Sequence, residues 1–299
     1  MEKRRIGSLE VSLVGLGCNN FGWRIDAAGT AAVIDAAIES GINFLDTADV
    51  YGGGQSEEYM GRALKGRRTK VLIASKFGMK MGEGKEGGKP AYIRQAVEDS
   101  LRRLDTDHID LYQIHKPDPS TPIADTLGAL DDLIKAGKVR EIGCSNFSAA
   151  QLCEAKRFAS VQNDYSLVHR EPEAEVLPEC RRLGIAFLPY FPLANGLLTG
   201  KYRKGQPFPK SSRAEDGFGP KVFTDEKLTL ADALRQFAES RGHTLLELAM
   251  SWLASKPEIA SVIAGAKTPV QVKANASSVN WRLSGADLAA LNGTLAAAV

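Results

Sequence analysis

The 299 residues carry 38 basic and 36 acidic side chains, for a net charge of +2, with 43% apolar and 25% charged residues. These are ordinary globular proportions: the chain can bury a large core, leaves no basic footprint for nucleic acid or a membrane surface, and has no run near the roughly 20 apolar residues of a membrane span. Cys18, Cys144, Cys153 and Cys180 form neither a C-x-x-C pair nor a metal-ligand spacing, and the opening MEKRRIGSLEVS lacks the apolar core of a secretory signal, so a cytoplasmic protein without a metal site is expected.

In chain order, residues 4–17 read as a small hairpin with its turn at Gly7-Ser8, running into a strand at 13–16 and placed to cap one end of a barrel. Helical and strand patterns then alternate: helix 31–40, strand 43–45, helix 57–65, strand 71–75, helix 91–104 and strand 109–114. The rhythm continues with helix 122–136, strand 139–143, helix 149–157, strand 161–163, helix 172–183 and strand 185–188. Helices at 225–241 and 245–255, a strand at 261–263 and a helix opening within 265–275 complete the series, and the tail beyond Ser284 is too short for an extended lid.

Eight strands separated by helices in a chain of this length favour an α/β fold of the closed kind: a single (β/α)8 TIM barrel over residues 1–299, with the hairpin closing its bottom. In such a barrel, chemistry sits on the loops at the carboxyl ends of the strands. Three apolar strands end on a polar residue: Asp46 follows NFL, Lys76 follows VLIAS and His115 follows IDLYQI. The longer connections 81–90, which is Gly-rich and expected to be mobile, and 195–220 fall on the same rim.

Taken singly, these residues have plain structural readings: an Asp after a strand caps or turns, a Lys is solvated, a His is half-buried, and a loop Tyr packs. Together in one barrel mouth with Tyr51, which lies five residues after Asp46 and before Gly52-Gly53-Gly54, they suggest acid–base chemistry. An ammonium beside a phenol favours the phenolate and lowers a pKa of about 10, and a carboxylate can hold that ammonium in place. Such a phenol could protonate a carbonyl oxygen that His115 orients, and side chains carry no hydride, so a cofactor is implied.

Two glycine patterns are decoys. Gly15-Leu16-Gly17 lacks the third glycine of a dinucleotide fingerprint, since Asn20 stands there, and Gly196 to Lys201 lacks the length and hydroxyl of a phosphate-binding loop. Cys18 and Cys144 read as packing residues; Trp23, Phe77 and Tyr112 read equally as substrate walls or as core.

The segments VGLGCNNFG, GINFLDTADVYGGGQSE, IDLYQIHKPD, IGCSNF, YFPLANGLLTGKY and VIAGAKTPVQVKAN, in that order, resemble the signature regions of the aldo-keto reductase superfamily. The resemblance implies a reductase using NADPH (NADP+), with NADH as the lesser alternative, acting on an aldehyde, ketone or sugar. It implies Tyr51 as general acid, Lys76 and Asp46 as the pair that depresses its pKa, and His115 as the group that orients the carbonyl. It places Ser145, Asn146 and Gln162 on the nicotinamide carboxamide and Tyr190 against the nicotinamide ring. Phe191, Pro192, Leu193, Lys201 and Arg213 follow along the pyrophosphate, with Gln271 and Asn275 at the adenosine end.

Residues 265–275 make a separate physical case, because Gly265 and Lys267 lie where a helix opens, and a helix N-terminus with an added ammonium suits a phosphate. Two departures from the family pattern bear on cofactor preference: Ala274 stands where many relatives carry an acid that holds the adenine, and Phe191 replaces a common Ser. The alternative the resemblance leaves open is an NADPH-binding regulatory subunit of the kind that partners membrane channels.

Overall fold

Apolar runs of three to seven residues that are buried on both faces suit parallel strands covered by helices. A computed structural model, which describes residues 1–210, 212 and 222–297, has that arrangement. Strands β1 (Lys3–Ile6) and β2 (Leu9–Ser12) pair antiparallel. Eight parallel strands follow: β3 (Val14–Gly17), β4 (Phe44–Asp46), β5 (Leu72–Phe77), β6 (Ile109–Ile114), β7 (Val139–Ser145), β8 (Ser160–Asp164), β9 (Ala186–Tyr190) and β10 (Val262–Gly265). Between and after them run α1 (Ala27–Glu39), α2 (Gln55–Ala63), α3 (Pro90–Leu104), α4 (Ile123–Lys135), α5 (Ala149–Glu154), α6 (Val176–Leu183), α7 (Asp225–Glu239), α8 (Leu245–Ala254), α9 (Pro269–Ser277) and α10 (Gly285–Ala297).

The sheet runs β10-β3-β4-β5-β6-β7-β8-β9 and closes between its outer members. Phe187 N donates to Glu258 O at 2.8 Å and Ala260 N donates to Phe187 O at 3.1 Å, joining β9 to the segment that leads into β10. The result is a (β/α)8 barrel.

The two-residue period of the strands sorts side chains into two cores. Leu45, Ile73, Phe77, Tyr112, Ile114, Cys144, Val161 and Phe187 pack outward among helix residues. Phe44, Ala74, Leu111 and Leu188 instead form a smaller cluster with Ile6, Leu9 and Val11 of the hairpin, and no helix residue joins it. The hairpin is thus the barrel's bottom plug, its three buried side chains each contributing roughly 1.5–3 kcal/mol. Arg4 fastens it to the end of α8, donating to Ala254 O, Lys256 O and Ile259 O at 2.6, 2.9 and 2.7 Å. At its turn Gly7 has φ +54°, and a Cβ there would fall 2.5 Å from the Glu141 carboxyl that accepts from Ser8 N, so both conformation and space call for glycine.

One step further along each strand the same inward face changes chemistry. Asp46 stands two residues after Phe44, Lys76 after Ala74, Gln113 after Leu111 and Tyr190 after Leu188, so a polar layer lies above the apolar plug. Several strands run further than their apolar patterns predict. Asp46, Lys76, Ser145 and Tyr190 lie within strands rather than after them, because ladder hydrogen bonds such as those pairing Lys76 with Gln113 continue past the last apolar residue.

Phe77 and Tyr112, stacked with centroids 4.8 Å apart and fully buried, belong to the outer core and line no substrate wall; Trp23 is exposed. The Gly-rich connection 81–90 is tied at its far end, with Gly88 N donating to Asp118 Oδ2 at 2.7 Å and Thr126 Oγ1 to Gly88 O at 2.9 Å. Helix α10 went unread in the tail, although Ser284 and Asp287 cap it reciprocally and Leu288, Leu291 and Leu295 recur at helical spacing.

Candidate active site

The carboxyl ends of the strands open into one cavity of about 580 Å³. Its wall contains Asp46, Tyr51 and His115 at one end and Gly265, Lys267, Gln271 and Asn275 at the other. Ser145, Asn146, Gln162, Tyr190, Phe191, Pro192, Leu193 and Lys201 line it between them. Lys76 stands just behind this wall, fully buried. Arg213 lies outside the described residues, as do residues 211 and 214–220 of the long connection.

Lys76 Nζ is the centre of the polar layer. It donates to Asp46 Oδ2 at 2.7 Å and Thr47 O at 2.9 Å, and reaches the Tyr51 hydroxyl at 3.5 Å. The other Asp46 oxygen, Oδ1, accepts from Gln162 Nε2 at 2.9 Å and Gln113 Nε2 at 3.3 Å. A buried ion pair whose remaining valences are filled by two amides is fixed in direction as well as in charge. Tyr51 sits on a turn made possible by the left-handed Gly52, Gly53 and Gly54, and its ring meets that of His115 in a T-shaped contact, 5.8 Å between centroids and 81° between planes.

The electrostatics correct one expectation. Burial pushes the Tyr51 phenol above its usual range; the Lys76 ammonium pulls it down, but the Asp46 carboxylate partly cancels that pull, and the net direction is upward. Lys76 itself is held charged: burial opposes its ammonium, yet Asp46 and Tyr51 together raise its pKa. His115 is pushed down to about 3 by burial and by the charges of Lys76 and Lys116. It is therefore a neutral imidazole, and its Nδ1 meets no donor or acceptor among the described residues.

Backbone geometry at the rim is unusual for non-glycine residues. Asn146, Phe191, Ala194 and Asn195 all have positive φ, between 45° and 62°. The Asn146 amide donates to His115 O at 2.9 Å and accepts from the Tyr190 hydroxyl at 2.8 Å, which sets the face of the Tyr190 ring. Ser145 Oγ donates to Gln162 O at 2.7 Å. At the other end, the first turn of α9 is partly satisfied within the chain: Lys267 N donates to Gln271 Oε1, Gln271 N donates to Thr268 Oγ1, and Pro269 has no N–H. The anion site expected there thus has fewer backbone donors than a bare helix start.

Sequence reading missed several wall residues. Asn20 crosses from the first connection to donate to Ala266 O at 3.2 Å, and its buried Oδ1 finds no partner. A Cβ on Gly265 would lie at van der Waals distance, 3.4 Å, from Asn19 and Asn20, so these two side chains border the same part of the wall. Gln113, buried behind the wall like Lys76, lies inside an apolar run, and only its inward register beside Lys76 marks it. Among the described residues there is no cluster of metal-ligating side chains.

Residues 13–296 match the Aldo/keto reductase family. The chain belongs to the aldo/keto reductase family. Aldo-keto reductase YhdN of Bacillus subtilis (strain 168) is 36% identical over an alignment 297 residues long that covers 95% of this chain and 90% of that protein. A probable voltage-gated potassium channel subunit beta of Arabidopsis thaliana is 33% identical, covering 94% of this chain and 92% of that one. Among solved structures, the glycerol dehydrogenase AKR11B4 from Gluconobacter oxydans superposes with a TM-score of 0.87 at 34% identity, covering 99% and 96% of the two chains. The aldo-keto reductase AKR11C1 from Bacillus halodurans gives 0.83 at 34%, covering 98% and 96%. This aldo/keto reductase thus shares its barrel with two solved members of an oxidoreductase family and a third of its sequence with a protein named as a probable channel subunit. No helix among its described residues is long and apolar enough to cross a membrane.

Proposed function

We propose that the chain, as one barrel domain, is an NADP(H)-linked oxidoreductase that interconverts an aldehyde, ketone or sugar carbonyl with its alcohol in the cytoplasm. The observation that carries this reading is the Asp46–Lys76–Tyr51 array, 2.7 and 3.5 Å along its two links, with the His115 ring in T-shaped contact with the phenol in the same cavity. A nicotinamide bound in the cavity would supply the hydride. Tyr51 gives its proton to the carbonyl oxygen as negative charge develops there, and the raised pKa of the free site keeps that proton on the phenol at neutral pH. Lys76, charged and immobile, stabilises the phenolate left behind. His115, being neutral, can orient the oxygen through a ring N–H but lacks the acidic imidazolium proton a general acid would give.

The donor set suits a dinucleotide. An amide-rich wall of Ser145, Asn146 and Gln162 beside the Tyr190 ring fits a carboxamide and its heterocycle, and the orphaned Asn20 Oδ1 marks a wall short of one donor. Lys267 at the head of α9 supports NADPH over NADH, and Phe191, Pro192, Leu193, Lys201, Arg213, Gly265, Gln271 and Asn275 are read as the rest of the nucleotide contacts. The proposed partner is a small molecule, neither nucleic acid nor membrane.

NADPH oxidation measured with short aldehydes, diketones, sugars and, in the reverse direction with NADP+, glycerol and other polyols tests the reading; absence of turnover on all of them overturns it. A second reading, a cofactor-binding regulatory subunit, is favoured by the 33% identity to the plant channel subunit and would give single-cycle oxidation without turnover.

A further inference from the structure

Directly outside the barrel wall, behind the polar layer, lies a second buried group of charges that the proposed chemistry leaves unused. Glu57, fully buried on α2, accepts from Ser75 Oγ through Oε1 and from Arg103 Nε at 2.7 Å through Oε2. Ser75 is the residue before Lys76, facing the opposite side of the same strand. Arg103, on α3, lies across the Tyr51 turn, so that a Cβ on Gly54 would fall 2.9 Å from its Cδ. Asp49, 2% exposed, sits between these parts: its N donates to Lys76 O at 3.1 Å, two residues before Tyr51. Its carboxyl oxygens meet only the Val50 N–H and the Tyr92 hydroxyl, both short of full hydrogen-bond geometry, and the buried Tyr112 hydroxyl nearby stands in the same relation to Ser100.

We propose that Asp49 is a positioning residue that, with the Glu57–Arg103 pair, holds the Tyr51 turn and the Lys76 strand in register from outside the barrel. The inference rests on the roles given above to Tyr51 and Lys76.

The charge balance explains how it acts. The groups facing Asp49 are Glu57 from α2, Lys76 from β5, Tyr92 and Arg103 from α3 and Tyr112 from β6, with Asp99 acting on Tyr92 and Arg103. The one Arg103 guanidinium thus lies in the field of three carboxyls, Glu57, Asp49 and Asp99, and Glu57 holds its hydrogen bond. A second carboxylate served only by the Val50 N–H and the Tyr92 hydroxyl, with no cation in contact, is costly to bury. Burial first, then the Glu57 charge, pushes Asp49 up to about 7 against the weaker pull of the Val50 N–H, then of Arg103 and Lys76. Below that pH the acid is neutral and Arg103 stays on Glu57 and under Gly54. Above it, Asp49 competes for the same guanidinium, and the contacts that brace Ser75 and the Tyr51 turn slacken.

The experiment is the pH dependence of kcat and KM from about pH 5.5 to 9, in the full-length enzyme with NADPH and whichever carbonyl turns over, for wild type, Asp49→Asn and Arg103→Met. Wild-type kcat is expected to fall about threefold or more through an ionisation near Asp49's, with KM nearly constant. Asp49→Asn, which mimics the neutral acid, is expected to lose that limb, and Arg103→Met to lower kcat throughout. Superimposable wild-type and Asp49→Asn profiles overturn the proposal.

Thermal unfolding in the same series needs no turnover, so it separates this idea from the reductase reading. The native state keeps a proton on Asp49 that the unfolded chain has lost above about pH 4, so wild-type stability relative to Asp49→Asn should decline as pH rises from about 4 to 7 and then level. A parallel pair of stability curves refutes the buried neutral acid. A difference in stability alone, with unchanged kcat profiles, also overturns the positioning role.

Discussion

The two ends of the barrel both bury a carboxylate among cations, and they use it differently. At the closed end Asp110, 1% exposed on β6, is clamped by Arg68 and Arg140, each at 2.7 Å, and by Ile73 N at 2.8 Å. All of these tie neighbouring strands and loops together. At the open end Asp46 is bound as firmly, by Lys76 and two glutamines, but its assembly faces a cavity and leaves His115 Nδ1, Gln113 Oε1 and Asn20 Oδ1 without partners. A network whose hydrogen bonds are completed within the protein serves stability; one that ends in buried unsatisfied atoms is prepared for something it does not itself contain.

Substitutions at the two ends should therefore separate activity from stability. The largest effect expected is that of Tyr51→Phe, which should lower kcat by roughly 10²–10⁴-fold while NADPH still binds and unfolding is little changed, because only the transferable proton is lost. Stopped-flow turnover and fluorescence titration read the two halves of that statement, and an unaltered kcat removes Tyr51 from its role. Asp110→Ala should do the reverse. Leaving the half-buried Arg68 guanidinium and the buried Ile73 N–H without their acceptor costs on the order of 3 kcal/mol in urea unfolding, the exposed Arg140 adding little, with turnover per folded molecule close to wild type. A large loss of kcat there would erase the distinction between the two ends.

Within the open end, Lys267→Ala sharpens the comparison between cofactors. Losing a charge-assisted contact to the additional phosphate should weaken NADPH about tenfold and NADH far less. Equal losses would refute the phosphate assignment. The stability effect of the open end belongs to His115, whose folded pKa of about 3 lies below the unfolded value. The unfolded chain takes up that proton from about pH 6.5 downward and the native state does not, so wild-type stability relative to His115→Gln should fall as pH falls from about 6.5 toward 3. This slope is opposite in sign to that expected from Asp49, so each must be read as a difference from its own variant. A flat difference for His115 would place the imidazole in a wetter setting than its burial implies.

Much of this was legible because the relevant signals are local. The alternation of apolar runs with helical spacing predicts eight strands, the Gly7-Ser8 turn predicts the hairpin, and the polar residues closing apolar runs mark Asp46, Lys76 and His115. Strand ends were read short, since ladder hydrogen bonding does not stop where hydrophobicity does. Gln113 and Asp49 escaped notice for a related reason: each is one polar residue in or beside an apolar stretch, and its meaning lies in partners dozens of residues away. Helix α10 was missed although its cap and leucine spacing were present in the sequence.

The sequence by itself determined the order of elements, the polar residue types at the strand ends and the glycines that let the Tyr51 turn form, because all of these depend on neighbours within a few residues. Only the tertiary structure decided which face of each strand looks into the barrel, that two amides share the Asp46 carboxylate with Lys76, and that the Tyr51 phenol is raised rather than lowered. The reason is that burial and the summed field of distant charges are properties of the closed barrel, set by which residues end up near one another rather than by their order along the chain.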